Sequence, residues 1–284
     1  MIEVVLRTTL ETGSAYGIAA LGVLMTFAVI EFYDLTVDGS FTLGGAIAAL
    51  LITAGWHPAL VFLPAMVAGA ASGAATALLH VRFGVDRLLS GILMMFVLYT
   101  VNLRLMGRSN LSLLNAQTIF SLSGLSAWLV LLGFLLVLAG LMFLFLRTEI
   151  GTLLRAYARS PRFVASLGVS SWTVVALALV ISNALVAMAG SLIAQLQRYT
   201  DIGMGEGTLI FSLAAVIIGK AIVPGNTPGR LVAAVAVGSL GYQVLVSLGL
   251  RAGLAATDFK LLTAVLIISF ISLGALRRRW SAQG

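Results

Sequence analysis

The 284-residue sequence contains no cysteine and only two histidines. Without cysteine, the chain can form neither a disulfide nor a thiolate metal site. The two histidines, His57 and His80, stand at opposite ends of one predicted span, too far apart to share a metal ion. The sequence also has no P-loop motif, so it lacks that route to binding and hydrolysing ATP. We therefore expect no resident cofactor and no metal, and predict that the chain is not an enzyme.

Charged residues are scarce as well. They make up 10% of the chain against 60% hydrophobic residues, and the mean hydropathy is +1.10. A chain this apolar has too little polar surface to face water as a soluble domain. Its apolar runs are continuous rather than alternating, which favours helices over a membrane β-barrel. The sequence predicts an all-α polytopic membrane protein, and its net charge of +7 relates to membrane topology rather than to nucleic acid.

The apolar runs predict nine membrane segments in one transmembrane domain, residues 13–276. A spanning helix needs roughly 20 apolar residues, and fewer where a half-helix is buried among others. Two of the nine are short. Residues 1–12 are predicted to form a brief surface helix, and residues 277–284 a basic cytoplasmic tail. The predicted segments are 13–30, 42–55, 58–80, 88–106, 127–146, 173–196, 209–222, 231–250 and 260–276.

A long polar stretch, residues 148–171, interrupts the apolar pattern and is called the insert below. Thr148 can cap a helix start, and Glu149 suits the first turn of that helix. Ser160 and Pro161 then suit the N-cap and first position of a second helix. The insert is therefore predicted to form two short helices at the membrane surface.

Three arginines of the insert, Arg155, Arg159 and Arg162, recur at i, i+4 and i+7, a spacing that places cations on one helical face. Such a face fits either lipid head groups or a soluble partner protein. If the spans alternate outward from the insert, eleven of the 17 Lys and Arg residues fall on its side and six on the other. The positive-inside rule then predicts a cytoplasmic insert, an outer N-terminus and a cytoplasmic C-terminus.

A second polar stretch, residues 31–41, separates the first two predicted spans. Its three carboxylates are costly at membrane depth unless they meet water or partners. Asp38-Gly39-Ser40 predicts a turn, after which Ser40 or Thr42 can cap the next helix. The stretch is either a discontinuous helix lining a transport pathway or a solvated loop. The candidate pathway residues are Asp34, Thr36, Asp38, Ser40, Phe41, Thr42, Asn183 and Met188.

Two amides lie in the predicted span 173–196. Asn183 and Gln195 could face a pathway or could hold helices together by hydrogen bonds. The loop that follows contains a G-x-G-x-G pattern, but no strand precedes it, so it is not a nucleotide-binding fingerprint. Charged residues there could receive an extracytoplasmic partner, or could simply be solvated.

The insert, from Gly151-Thr-Leu-Leu-Arg-Ala-Tyr-Ala to Ser166-Leu-Gly-Val, resembles the cytoplasmic coupling loop of ABC-importer permeases. The likeness is to the group that includes the branched-chain amino acid and ribose permeases. LTVDGSFTLGGA at 35–46 is similar to that group's early polar segment, and Gly205-Glu-Gly-Thr with Ala214-Ala-Val-Ile-Ile-Gly-Lys and Pro228-Gly resembles its later pore-region motif. The resemblance covers nearly the whole chain from about residue 13.

Two features of the sequence differ from the ribose-type permeases. The chain begins at what resembles the second helix of ribose-type members, as amino-acid-type members do. It also carries Thr-Val-Asp-Gly where ribose-type permeases have Ser-Val-Gly, which argues against a sugar substrate. The sequence is most similar to a subgroup of uncharacterised permeases whose expected substrates are amino acids, tryptophan and tyrosine among them.

The resemblance implies a type II ABC-importer-like permease in the bacterial cytoplasmic membrane. Two copies would form the pathway, two ATPase subunits holding MgATP would bind the insert, and an extracytoplasmic binding protein would deliver the solute. Two alternatives remain open: an ion-gradient-driven transporter without an ATPase, which needs an intramembrane carboxylate, and a membrane scaffold, which needs no polar helix breaks. The residues assigned to ATPase coupling are Glu149, Gly151, Arg155, Ala156, Arg159, Pro161, Arg162, Ala165 and Gly168.

Overall fold

The computed structural model describes residues 2–251, 253, 261, 263–265 and 268–269. Within that part the chain forms eleven α-helices and one pair of short strands. Two helices end in π-helical turns: α1 continues as Leu24–Val29 and α3 as Leu78–Arg82. The elements are α1 Ile2–Val23, α2 Thr36–Thr53, α3 Phe62–Ala77, α4 Arg87–Met106, β1 Asn110–Ser112, α5 Ile119–Leu122, α6 Ala127–Arg147, α7 Glu149–Arg159, α8 Pro161–Ser166, α9 Ser171–Gln197, β2 Tyr199–Asp201, α10 Thr208–Ile222 and α11 Pro228–Arg251.

Seven helices in the described part of the chain are long and apolar enough to cross a membrane. An eighth apolar helix, α10, has only 15 residues, as its short predicted segment required. These eight helices correspond to the first eight predicted segments, which confirms an all-α polytopic membrane protein. The ninth segment, 260–276, falls largely outside the described residues, and the basic tail, 277–284, falls entirely outside them.

The first helix is longer than predicted. It runs without a break from Ile2 into the first span, so residues 2–12 do not form a separate helix, and that boundary is wrong. No residue between Glu3 and Gly13 breaks a helix, and the Glu3 carboxylate pairs with Arg7 at i, i+4 over 2.6 Å. The helix therefore extends directly into the apolar run.

The second helix also begins earlier than predicted, at Thr36 rather than residue 42. The carboxylate of Asp34 accepts the backbone N–H of Thr36 at 3.0 Å and so starts the helix. The turn predicted at Asp38-Gly39-Ser40 is therefore wrong, because all three residues lie in the first turns of α2. Neither Ser40 nor Thr42 is a helix cap.

Helix α9 is the central element, 27 residues and about 40 Å long, and it packs against α1, α2 and α3. Glycines on the neighbouring helices make this close approach feasible. A Cβ added at Gly44 would overlap the carbonyl oxygen of Ala187, and one added at Gly69 that of Asn183. Small residues at helix crossings are how membrane helices gain van der Waals contact without a hydrophobic driving force.

The two strands form an antiparallel pair with Leu111 opposite Thr200. One strand follows α4 and the other follows α9, so the pair joins the ends of two helices. Because α9 begins directly after the insert, the strands lie at the other end of the bundle. We call the two ends the insert end and the strand end.

Candidate functional site

The insert folds as the two helices predicted, α7 and α8. The hydroxyl of Thr148 accepts the N–H of Gly151 at 3.2 Å and caps α7. The hydroxyl of Ser160 accepts the N–H of Phe163 at 3.3 Å and caps α8, in which Pro161 is the first residue. Both caps predicted from the sequence are confirmed.

The three arginines of the insert do not share one helical face, and that prediction is wrong. Ser160 leaves the helical conformation, with φ −154° and ψ 89°, because the residue before a proline is disfavoured in the α region. Helix α7 therefore ends at Arg159, and Arg162 lies on a different helix. Arg155 and Arg159 line a common groove, and Arg162 does not.

This groove, called the basic groove below, has a volume of about 480 Å³. It lies between α7, the segment that follows α1, and the α10–α11 connection. Its charged and polar lining includes Arg155, Arg159, Lys220, Glu31 and Asn226. The sequence indicated the two arginines, whereas Lys220 belonged only to the resemblance to the pore-region motif and Asn226 to no pattern. Tertiary packing brings both to the insert.

A buried polar network joins α2, α3 and α9 near the midpoint of α9. Asp34 is fully buried, and its carboxylate accepts the amide N–H of Asn183 at 2.7 Å. The hydroxyl of Ser40 donates to the amide oxygen of Asn183 at 2.7 Å and meets the hydroxyl of Ser72 at 2.6 Å. These bonds satisfy polar groups at membrane depth and hold the helices together.

A hydroxyl pair extends this network. The side chains of Thr36 and Thr76 meet at 2.7 Å between α2 and α3. In a double-mutant cycle, Thr36→Val and Thr76→Val are each expected to cost about 0.5–1 kcal/mol, and the double variant little more, since both remove one shared bond. Unfolding of the purified protein measures the coupling. Thr53→Val is the matched control, because its hydroxyl bonds only within its own helix; zero coupling between Thr36 and Thr76 would exclude the contact.

A second carboxylate holds the start of α10. Asp38 accepts the N–H groups of Gly207 at 3.1 Å and Leu209 at 2.9 Å. The hydroxyl of Thr42 accepts the N–H of Gly205 at 3.1 Å. The loop after β2 thus folds back from the strand end into the bundle, and α10 begins there with an anionic group at its positive end.

The eight candidate pathway residues lie inside the helix bundle. Seven of them are at most 6% exposed, and Asp38 is partly buried. None of the eight lines the basic groove or the cavity described next. Their role in a pathway stays a prediction. The buried ones are Asp34, Thr36, Ser40, Phe41, Thr42, Asn183 and Met188.

Gln195 has a structural contact at the strand end. Its amide oxygen accepts the N–H of Ile119 at 2.9 Å and anchors the short helix α5 to α9. Nearby, the guanidinium of Arg198 donates to the carbonyl oxygen of Leu114 at 3.5 Å. The alternative that Gln195 holds elements together is the one the geometry supports.

An aromatic cavity of about 360 Å³ lies between α1, α10 and α11. Tyr16, Phe211 and Tyr242 line it, with ring centroids 4.8 Å apart for Tyr16 and Phe211 and 4.7 Å apart for Phe211 and Tyr242. The Tyr16 ring also stacks on Phe41 at 5.4 Å. This cavity has no signal in the sequence, because its residues stand far apart in the chain and form no local motif.

Comparison with known proteins agrees with this architecture. Residues 5–271 match the family described as branched-chain amino acid transport system / permease component. A tyrosine transport system permease protein of Clostridioides difficile is 38% identical over 259 residues, which cover 91% of this chain and 88% of the relative. An uncharacterised protein of Rickettsia prowazekii is 33% identical, with 96% of this chain and 98% of the relative covered.

A solved metal-chelate-type ABC transporter in an inward-facing conformation shares the fold, with a TM-score of 0.54. The alignment covers 96% of this chain and 85% of that one at 18% identity, so it concerns the fold alone. The family match spans nearly the whole chain and confirms the resemblance carried by the insert and the polar segments. The chain belongs to the family of permease components of branched-chain amino acid transport systems, and is an ABC-transporter permease.

Proposed function

We propose that this permease is the pathway-forming subunit of an ATP-driven importer and that its insert is the docking surface for the ATPase. The observation that carries the proposal is the basic groove beside α7, which combines Arg155, Arg159 and Lys220 at the insert end. Two capped helices give this surface a defined shape before any partner binds. A preorganised surface loses less conformational entropy on binding than a flexible loop does.

The proposal extends to partners and substrate. The insert end faces the cytoplasm, with the N-terminus outside and the C-terminus inside, in the cytoplasmic membrane of a bacterium. Two copies of the chain form the pathway, and a binding protein docks at the strand end. The solute is an amino acid, with tyrosine favoured by the name of the C. difficile relative. MgATP binds to the ATPase subunits, and this chain needs no cofactor.

We infer from the position of α9 how movement of the ATPase is passed on to the permease. Movement of the ATPase subunits displaces α7 and α8, and α9 begins directly after them at Ser171. Such movement shifts the permease between two states only if the ATPase contacts differ between those states. We infer that the basic groove makes such contacts, because its lining comes from α7, α10 and the segment after α1.

The test is copurification with the ATPase from a detergent extract. Arg155→Glu combined with Arg159→Glu is expected to reduce the amount of copurified ATPase at least about tenfold, since it replaces two cations by anions at the interface. Arg104→Glu with Arg108→Glu is the matched control, because both residues are exposed at the strand end and reversal there should leave copurification unchanged.

Two results would contradict the proposal. If the variant copurifies with as much ATPase as the wild type, the insert is not the docking surface. If no ATPase copurifies with the wild-type permease, the ion-gradient alternative moves forward, and the buried carboxylates Asp34 and Asp38 would be the groups to examine.

A further inference from the structure

We propose that the aromatic cavity is a binding site for an aromatic α-amino acid, held by its ring against Tyr16, Phe211 and Tyr242 and by its ammonium group at Glu206. This inference rests on the proposed amino-acid transport, and it assigns the recognition to residues other than the predicted pathway residues. The cavity volume of about 360 Å³ lies within the range of small-molecule sites, about 300–1,000 Å³.

The rings give the cavity a geometry that suits a flat ligand. Tyr16 and Phe211 are tilted at 46° to each other, and Phe211 and Tyr242 stand nearly perpendicular at 86°. An added ring can meet these faces edge-on or offset, the arrangements that aromatic pairs prefer. The Tyr242 hydroxyl is held by the Thr263 hydroxyl, which fixes the orientation of that ring.

The polar lining suits an amino acid rather than a hydrocarbon. Glu206 lies exposed at the rim of the cavity, where a carboxylate can pair with an ammonium group. Thr208 lines the cavity and is 2% exposed, and its hydroxyl has no hydrogen-bond partner among the described residues. A buried hydroxyl without a partner is costly, and a ligand carboxylate or phenol could supply the missing bond once the Thr208 side chain turns toward the cavity. The amide of Gln243 adds a third polar group.

The position of the cavity supports the same conclusion. It lies at the start of α10, where the loop from the strand end has folded back into the bundle and Asp38 holds Gly207 and Leu209. Substrate sites in transporters recur where a helix is interrupted inside the membrane. A lipid chain or a second copy of the permease would cover the rings, but neither accounts for the Glu206 carboxylate and the Thr208 hydroxyl at the same place.

The experiment uses the full-length permease in lipid nanodiscs with 4-azido-L-phenylalanine as the probe. On illumination the azide loses N₂ and leaves a nitrene, which inserts into nearby C–H or N–H bonds. Mass spectrometry then locates the labelled peptides. We expect labelling on peptides that contain Tyr16, Phe211 or Tyr242, and we expect excess L-tyrosine to prevent it while L-lysine does not.

Two variants measure the separate contributions. Phe211→Leu is expected to raise the L-tyrosine concentration needed for half-maximal protection about three- to tenfold, because the ring contact is lost. Glu206→Gln is expected to raise that concentration about tenfold, because the charge that pairs with the ammonium group is lost. The matched controls are Phe134→Leu, from a ring pair with Phe62 elsewhere in the bundle, and Glu3→Gln at the start of α1; both should leave protection unchanged.

The outcomes separate this inference from the proposed function. Label elsewhere in the chain, or label that L-tyrosine does not reduce, would overturn the site and would point to lipid or to a second copy as the occupant. Unchanged protection in both variants, with normal gel filtration, would overturn it too. Protection by L-tyrosine without any copurified ATPase would leave the site standing while the importer proposal failed.

Discussion

Replacing Gly44 by alanine is expected to force α2 away from α9 and to destabilise the permease strongly. The added Cβ would overlap the backbone carbonyl oxygen of Ala187, and a backbone atom cannot rotate aside as a side-chain end can. Gly190 occupies the reciprocal position, where an added Cβ would overlap the carbonyl oxygen of Phe41. Either substitution is expected to cost at least about 3 kcal/mol, the upper range for overpacking.

The melting temperature of the purified protein and its gel-filtration profile measure this effect. Gly133→Ala and Gly140→Ala are the matched controls, because an added Cβ on those α6 glycines meets no atom within 4 Å. They should be neutral or slightly stabilising, since alanine favours a helix over glycine by about 0.5–1 kcal/mol. A Gly44→Ala protein that melts with the controls would show that the two helices do not cross this closely.

The second large effect is expected from Asp38→Ala. The substitution removes the acceptor of two N–H groups at the start of α10, those of Gly207 and Leu209. Each buried donor left without a partner costs about 1–3 kcal/mol, and the helix also loses a negative charge at its positive end. We expect a loss of about 2–6 kcal/mol, concentrated at the point where α10 meets α2.

Hydrogen exchange at the amides of Gly207 and Leu209 reports this loss directly. We expect their protection to fall sharply, while amides in the middle of α9 keep theirs. Asp201→Ala is the matched control, because that carboxylate accepts the N–H of Gly203 at 2.8 Å in a turn at the strand end. Equal protection in wild type and Asp38→Ala would mean that water or another group satisfies the start of α10.

Composition and local capping made much of this fold predictable. Continuous apolar runs indicated the spanning helices, and Thr148 and Ser160 marked the starts of α7 and α8 because each cap acts within three residues of itself. The start of α2 was not predictable in the same way. There the hydrogen-bond acceptor is Asp34, whose burial depends on its partner Asn183, a residue far along the chain. The sequence alone shows three acidic residues that could equally be solvated.

The residues of the functional surfaces also differ in whether a local sequence pattern predicts them. Arg155 and Arg159 belong to one local pattern and were found from it, whereas Lys220 reaches the basic groove only through the packing of α10. Tyr16 and Phe211 stand about 200 residues apart, and no periodicity relates them. The sequence singles out Asp38 because a carboxylate is costly inside a membrane. Its role at the start of α10 could not be predicted, because that role depends on the loop that folds back toward it.

Helix α9 also has a mechanical consequence. It is a single rod of 27 residues that begins beside the insert and ends in β2, and β2 is paired with β1 at the end of α4. A tilt of about ten degrees about the insert end would move the far end of a 40 Å rod by about 7 Å. If α9 tilts as a rigid rod, a small angle at one membrane surface becomes a displacement of several ångströms at the other. Because β2 follows α9 and pairs with β1 after α4, such a tilt would also pull on the end of α4.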